Sequence, residues 1–281
     1  MKAISQFLRE YLLALQFFTR IPVTGRLADW VGYSPEMLRA STAHFPGIGV
    51  LVGAIAAASF TFVQMLLPDT AFSPLVAAVL STVVTVMLTG GFHEDGLADV
   101  ADGLGGSQNR ERALEIMKDS RIGAFGAMAL VLALLAKVAL LAILGSVEGA
   151  PTGWEEAPFN AWYICAALWA GHVVSRGLPL MLIYLLPHVG DTASSKSKPL
   201  ADQISPASLV LAAAWCLASL LAVFSVMDAA NLLVACSFAM LALLWMGRMF
   251  KRRLQGFTGD CLGATQQVCE IAFYFGLAIS L

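Results

Sequence analysis

Long apolar runs constrain this sequence more than any other feature. Several of them exceed the ~20 residues that an α-helix needs to cross a lipid bilayer. Charged residues make up only 13% of the chain, whereas soluble domains carry about 25%. So few charges cannot cover a water-facing surface, and the mean hydropathy of +0.76 leads to the same conclusion. The sequence therefore predicts an all-α, polytopic transmembrane helix bundle that forms one integral membrane domain over residues 1–281.

About seven spans are predicted, together with one N-terminal helix that lies in the membrane interface. This interfacial helix covers residues 4–23, an apolar stretch with isolated charges. The fourth span is long and contains Gly177 and Pro179, which predict a kink or a break. The seventh is short and begins with polar residues. The predicted spans are 45–67, 72–92, 124–145, 160–187, 207–226, 229–250 and 262–281.

Positive charges are segregated between the loops. With the N-terminus inside, most Lys and Arg residues fall in the segments 1–44, 93–123, 188–206 and 251–261. The loops on the opposite side contain acidic residues and no Lys or Arg. Because cytoplasmic loops are enriched in Lys and Arg, this pattern predicts that the four segments are cytoplasmic.

Acidic residues are concentrated in the segment 93–123, which is predicted to be a cytoplasmic loop with a short helix. Asp95, Asp99 and Asp102 have the spacing i, i+4, i+7, which would place three carboxylates on one face of a helix. Like charges so close repel each other unless a cation lies among them. Hard oxygen ligands suit Mg²⁺, Mn²⁺ or Ca²⁺, so these three aspartates are the candidate metal ligands. A solvated acidic loop beside the membrane is the alternative.

His93 and Glu94 adjoin this cluster and are candidate catalytic residues, as a base or as a further ligand. The neighbouring glycines, among them Gly96 and Gly103, would let the backbone approach a phosphate closely. Together the acids and glycines predict a site for a metal ion and a phosphate-bearing substrate.

Polar residues elsewhere are candidates for contacts with that substrate. Cationic side chains would grip phosphate oxygens, and acids or hydroxyls near the last span would extend the site. The alternatives are an interfacial anchor for Arg20 and an ordinary positively charged loop for 191–199. The candidates are Arg20, Lys118, Asp119, Arg121, Arg176, Lys196, Lys198, Asp260, Thr265 and Glu270.

Three ionisable residues, Lys137, Arg176 and Glu270, lie inside predicted spans. Ionised side chains are costly there and usually face a functional interior. They indicate either a link to the site or a structural ion pair.

Several motifs resemble those of the cobalamin synthase family, the adenosylcobinamide-GDP ribazoletransferases. The most specific is the acidic run 91–103, with the sequence GFHEDGLADVADG. Weaker matches occur in the order expected for the family, over nearly the whole chain. They are FFTRIP at 17–22, FPGIG at 45–49, MKDSRIG at 117–123, SKSKPL at 195–200 and GDCLGA at 259–264.

This resemblance implies an Mg²⁺-dependent transferase of the bacterial inner membrane, with its active site facing the cytoplasm. The family joins adenosylcobinamide-GDP to α-ribazole, or to α-ribazole 5′-phosphate, and releases GMP. The product is adenosylcobalamin or its 5′-phosphate. The expected partners are these small molecules and the lipid bilayer, without nucleic acid. The oligomeric state stays open, a homo-oligomer included.

Two other functions compete with this interpretation. A membrane transporter would explain the charges inside the spans, but transporters place their sites near the midplane between inverted repeats, and no repeat is visible here. A CDP-alcohol-type phosphotransferase acting on another alcohol shares the same chemical logic. The run 99–103 is similar to the start of that group's motif, whereas the residues that should follow are absent.

Overall fold

The computed structural model describes residues 2–147, 161–190 and 203–281, and all regular elements in these ranges are helices. The N-terminal half contains α1 to α7, and the C-terminal half contains α8 to α13. The first group is α1 (Lys2–Phe18), α2 (Gly25–Val31), α3 (Pro35–Ser41), α4 (Phe45–Leu66), α5 (Ser73–Thr89), α6 (Phe92–Gly106) and α7 (Arg110–Ile116). The second is α8 (Ala124–Gly145), α9 (Trp162–Gly177), α10 (Leu180–Leu185), α11 (Pro206–Val223), α12 (Ala229–Arg253) and α13 (Gly259–Ile279).

The predicted all-α membrane bundle is confirmed, but fewer helices than predicted are apolar enough to cross a bilayer individually. Within the described residues, five helical stretches have the required length and hydropathy, or six if α5 and α6 count as one bent span. The five are Pro35–Leu66, Ala124–Gly145, Trp162–Leu185, Pro206–Val223 and Ala229–Arg253.

All seven predicted segments do contain helix, and the difference in span count arises at two of them. Helix α5 has only 17 residues, fewer than the ~20 that a bilayer requires. Helix α13 carries polar residues such as Gln266 and Glu270, and it packs against α6, α8, α9 and α12. Because these helices enclose α13, it can carry polar side chains that would be costly in a helix facing lipid.

The predicted break in the fourth span is confirmed. Helix α9 ends at Gly177 and α10 begins at Leu180, with Pro179 between them. Residues 2–18 form the predicted N-terminal helix, which packs on α3 and α4; its position relative to the membrane stays a prediction.

The chain turns sharply between α5 and α6. Gly90 and Gly91 both adopt left-handed backbone angles, with φ values of +71° and +70°, a conformation that glycine reaches without steric cost. The two helices are consequently bent by 89°. The segment 93–123 is predicted as a loop with a short helix, but most of it is helical, because it contains nearly all of α6 and the whole of α7.

Candidate active site

Two glycines let α6 and α13 cross at close range. A β-carbon on Gly96 would lie 2.8 Å from the carbonyl oxygen of Asp260, so a larger residue would push the two backbones apart. On the same crossing, a β-carbon on Gly263 would lie 3.2 Å from the Cα of His93. The first turn of α13 is thus held against the first turns of α6, and the two helices bring their acidic residues together.

Asp95, Asp99 and Asp260 form what we call the acidic group at this crossing. The charges of Asp95 and Asp260 act on Asp99, and that of Asp95 acts on Asp260. Burial and the charge of Asp95 raise the pKa of the Asp260 carboxyl to about 6, although the hydrogen bond from Thr258 opposes this shift. The structure thereby joins Asp260, which is distant in the chain, to two of the predicted metal ligands.

Asp102 has different surroundings from the other predicted metal ligands. Its two carboxylate oxygens accept hydrogen bonds from the backbone N–H groups of Gly123, at 2.7 Å, and Gly126, at 2.8 Å. The side chain is buried and caps the N-terminus of α8, where a negative charge is favourable. Backbone amides thus take up one acceptor position on each Asp102 oxygen, and the role of Asp102 as a metal ligand stays a prediction.

The acidic group suits Mg²⁺ by the chemistry of its donors. No three His, Cys, Asp or Glu side chains among the described residues are placed to hold a metal ion on their own. However, Mg²⁺ is commonly held by one or two carboxylates, with waters and substrate phosphates as the remaining ligands. Asp95 is exposed and Asp99 is partly exposed, so both carboxylates are accessible for binding of that kind.

His93 and Glu94 face the protein interior. The His93 ring is 1% exposed and stacks on Phe45 with a centroid distance of 5.6 Å. Neither of its ring nitrogens has a hydrogen-bond partner in the described part of the chain. Glu94 accepts a hydrogen bond of 3.0 Å from the Gln267 amide through Oε1, while its buried Oε2 has no partner among the described residues.

Glu270 is the centre of a buried polar network in the bundle. Its Oε1 lies 2.7 Å from Lys137 Nζ and accepts a hydrogen bond of 3.2 Å from the Tyr274 hydroxyl. Its Oε2 accepts a hydrogen bond of 2.6 Å from the Gln266 amide. Gln267 donates a hydrogen bond of 2.9 Å to the Gln266 amide oxygen and another to Glu94. A continuous chain of hydrogen bonds therefore connects Glu270 to Glu94 on helix α6.

Arg176 joins the same network from α9. Its Nη1 donates a hydrogen bond of 3.0 Å to the His172 carbonyl and lies 3.0 Å from His172 Nδ1. His172 Nδ1 is in turn 3.5 Å from Glu270 Oε2. The charges inside the predicted spans therefore form a structural ion pair and are also linked to the candidate site. Lys137 and Glu270 form a buried ion pair, and the network that contains them reaches the candidate site.

The remaining predicted substrate contacts are dispersed. Arg20 is exposed and lies against Gly90 at the bend. The Arg121 guanidinium binds Asp119, with 2.5 Å between Nη2 and Oδ2, and these hydrogen bonds lower the pKa of Asp119 to about 2. Exposed Lys118 precedes this pair in the chain.

Of the last three candidates, one has its hydroxyl bound within its own helix, and two lie outside the described residues. The Thr265 hydroxyl is buried and donates a hydrogen bond of 2.7 Å to the Cys261 carbonyl of its own helix, so it is not directed at the acidic group. Lys196 and Lys198 lie outside the described residues.

Sequence reasoning missed Gln266, Gln267 and His172. The signal for the first two was available: two consecutive amides precede Glu270 in an otherwise apolar segment. His172 gave no separate signal, since its role depends on contacts with residues far away in the chain.

Fold and site together define a multi-pass helical membrane protein with a carboxylate site beside a sharp helix bend. The sequence model of the cobalamin-5-phosphate synthase family matches residues 10–278, and the chain belongs to that family. This confirms the resemblance carried by the motifs.

Relatives named adenosylcobinamide-GDP ribazoletransferase are similar to the chain over its whole length. The relative from Polaromonas sp. (strain JS666) is 73% identical and covers 100% of both chains. That from Polaromonas naphthalenivorans is also 73% identical, over 98% of this chain and 99% of its own. The Vibrio cholerae relative is 41% identical, over 98% and 95%. No solved structure matches the chain significantly.

Proposed function

We propose that this protein is an Mg²⁺-dependent adenosylcobinamide-GDP ribazoletransferase. It transfers the cobinamide phosphate of adenosylcobinamide-GDP to a hydroxyl of α-ribazole, or of α-ribazole 5′-phosphate, and releases GMP. The transferase activity follows the family and the names of the full-length relatives. The observation that carries the site assignment is the acidic group, where Asp260 is packed against α6 beside Asp95 and Asp99.

In the reaction, the ribazole hydroxyl oxygen forms a bond to the phosphorus nearer the cobinamide. The bond from that phosphorus to the bridging oxygen breaks, and GMP leaves with the electron pair. Asp95 and Asp99 would hold the metal ion, with Asp260 beside them. Mg²⁺ would supply positive charge there to offset the charge that develops on the leaving phosphate.

Glu94 is the general base that we favour over His93. His93 is buried and its ring stacks on Phe45, whereas Glu94 is partly exposed as a residue and directly precedes Asp95. A buried carboxylate oxygen without a hydrogen-bond donor is unfavourable, and Glu94 Oε2 is such an atom among the described residues. The acceptor hydroxyl would provide that donor, and its proton would move to Glu94 during the attack.

In this proposal, cationic side chains from the segments that precede α6 and α8 bind the phosphate oxygens. Arg20 lies at the bend that precedes α6, and Lys118 and Arg121 precede α8. Arg121 would exchange Asp119 for a substrate phosphate, a bidentate partner of the same kind. Lys196 and Lys198 are further candidates from outside the described residues.

The protein would reside in the bacterial inner membrane with the acidic group facing the cytoplasm. The support is the segregation of Lys and Arg into the segments that flank this site. The cytoplasm is also where a GDP-linked substrate would be expected.

Asp95→Asn and Asp99→Asn test the metal assignment. GMP release by the purified protein in detergent should require both adenosylcobinamide-GDP and ribazole, and it should stop when Mg²⁺ is chelated. Each variant should lower the rate about 100-fold, because the loss of a carboxylate ligand should cost at least as much as the loss of an outer-shell partner, with membrane insertion unchanged. Near-normal turnover in either variant would contradict the metal role, and GMP release without ribazole would indicate a hydrolase instead.

A further inference from the structure

A large apolar groove lies apart from the acidic group. It has a volume of 910 Å³ and is bounded by α9 and α10 on one side, by α11 on another and by α12 on the third. We call it the α11–α12 groove. It exists because α11 packs mainly on α9, whereas α12 packs mainly on α13, which leaves a gap between them.

The open side of the groove is apolar, as expected for a surface that faces the hydrocarbon part of the bilayer. All three walls belong to helices that are long and apolar enough to cross a membrane. Apolar side chains on its rim are exposed, with 64% for Leu185 and 70% for Val210. A polar solute would lose its hydration there without gaining hydrogen bonds, so the occupant must come from the membrane.

Along α12 the groove extends from Cys236 to Lys251. At the helical rise per residue this span is ~22 Å long. One leaflet contributes ~15 Å to the hydrocarbon core. The groove is therefore long enough to hold an acyl chain through the whole depth of a leaflet.

Positive charge is confined to one end of the groove. Arg248 and Lys251 are the charged residues among the described ones that line it, and their spacing of i, i+3 places them on one face of α12. Both are exposed, and no ion pair links either to another described residue. This is the end at which α10 terminates and α11 begins.

We propose that the α11–α12 groove binds an anionic phospholipid. One acyl chain lies along the apolar walls, and the lipid phosphate contacts Arg248 and Lys251. An amphipathic ligand matches both ends of the groove, since the cations are at one end and the far end, near Leu220 and Cys236, is apolar. The site is separate from the acidic group and does not depend on the transferase assignment.

Lipid titration with native mass spectrometry tests the proposal on the full chain in detergent. Phosphatidylglycerol and phosphatidylcholine with matched acyl chains are the probes. The protein should bind one phosphatidylglycerol more tightly than phosphatidylcholine. The double variant Arg248→Gln/Lys251→Gln should weaken phosphatidylglycerol binding about 30-fold. It should weaken phosphatidylcholine binding much less, because choline already offsets the phosphate charge of that lipid, and the remaining phosphatidylcholine binding shows that the variant is folded.

Two further variants separate the groove from general surface charge. Arg26→Gln/Arg252→Gln removes the same net charge from exposed residues outside the groove and should leave binding unchanged. Ala213→Phe places a bulky ring in the groove and should weaken binding of both lipids. Equal binding of the two lipids by the unaltered protein, or equal losses in the two double variants, would overturn the proposal. A dimer that Ala213→Phe abolishes would instead identify a second copy as the occupant.

Discussion

Gln267 fixes one oxygen of Glu94 through a hydrogen bond between residues that are distant in the chain. The same amide also donates to the Gln266 oxygen. The Gln266 amide donates in turn to Glu270 and to the Ser175 hydroxyl. Each member of this chain is at least partly buried, and buried polar networks restrict their members to one orientation. Gln267 is therefore a positioning residue for Glu94.

Replacing Gln267 with alanine should lower kcat about tenfold with little change in KM. The reason is that Glu94 loses a charge-assisted hydrogen bond and with it a defined orientation. Steady-state GMP release measures both constants. Gln64→Ala, at an amide on α4 outside the network, should leave both unchanged. Because Gln267 acts through Glu94, the losses of Gln267→Ala and Glu94→Gln should not add up in the double variant; additive losses would rule out this role.

At the level of single residues, the acidic signature could be predicted from sequence because its information is local. The spacing of Asp95 and Asp99 predicts a shared helix face, and the structure places both on α6. The same spacing does not reveal that Asp102 caps α8, because that role depends on a helix that begins about twenty residues later. Nor could it identify Gln267 as the partner of Glu94, since only the crossing of α6 and α13 brings them together.

The elements differ in how far their sequences determine them. The apolar helices follow from composition and length, and the break before α10 follows from Pro179. Helix α6 is the counterexample: its glycines Gly96, Gly103, Gly105 and Gly106 disfavour helix in isolation, so the sequence favours a loop. Packing against α13 and α8 overrides that preference, and the same glycines become the contact surface.

Asp102→Asn should destabilise the connection between α6 and α8. An asparagine offers one acceptor where the carboxylate offers two, so one backbone amide of α8 loses its partner. We expect a loss of about 2 kcal/mol, which corresponds to a thermal midpoint lower by about 5 °C in detergent.

The Mg²⁺ concentration for half-maximal activity of Asp102→Asn separates the two roles of this residue. It should match that of the unaltered protein, since the carboxylate is directed at backbone amides. A normal thermal midpoint combined with a raised Mg²⁺ requirement would instead support Asp102 as a metal ligand.

On the scale of the whole molecule, hydropathy predicts the bundle and a helix at 262–281, but it does not show which helices face lipid and which face protein. Predictions from hydropathy assume that a crossing helix faces lipid. Helix α13 is surrounded by other helices and is free to carry Asp260, Gln266 and Glu270. The sequence therefore predicts the position of this helix, whereas its enclosure by other helices is recognised only from the packing of the whole bundle.

Labelling of single cysteines should place the acidic group and the N-terminus on one side of the membrane. In a background with the native cysteines replaced, Thr24→Cys and Gln108→Cys should react with an impermeant maleimide only after the cells are permeabilised. Asp69→Cys and Asp228→Cys should react in intact spheroplasts, since their loops lack Lys and Arg. All four positions are exposed, and reaction of Gln108→Cys in intact spheroplasts would contradict the orientation.

The ion pair between Lys137 and Glu270 also bears on how the chain is made. Helix α8 leaves the ribosome long before α13, so its lysine enters the translocon without its counter-ion. An unpaired lysine in mid-membrane costs about 3 kcal/mol or more, which favours retention of α8 near the insertion machinery until the glutamate arrives. Completion of the ion pair would then be a late event of biogenesis, and a nascent chain that stops before α13 would keep the Lys137 charge unpaired.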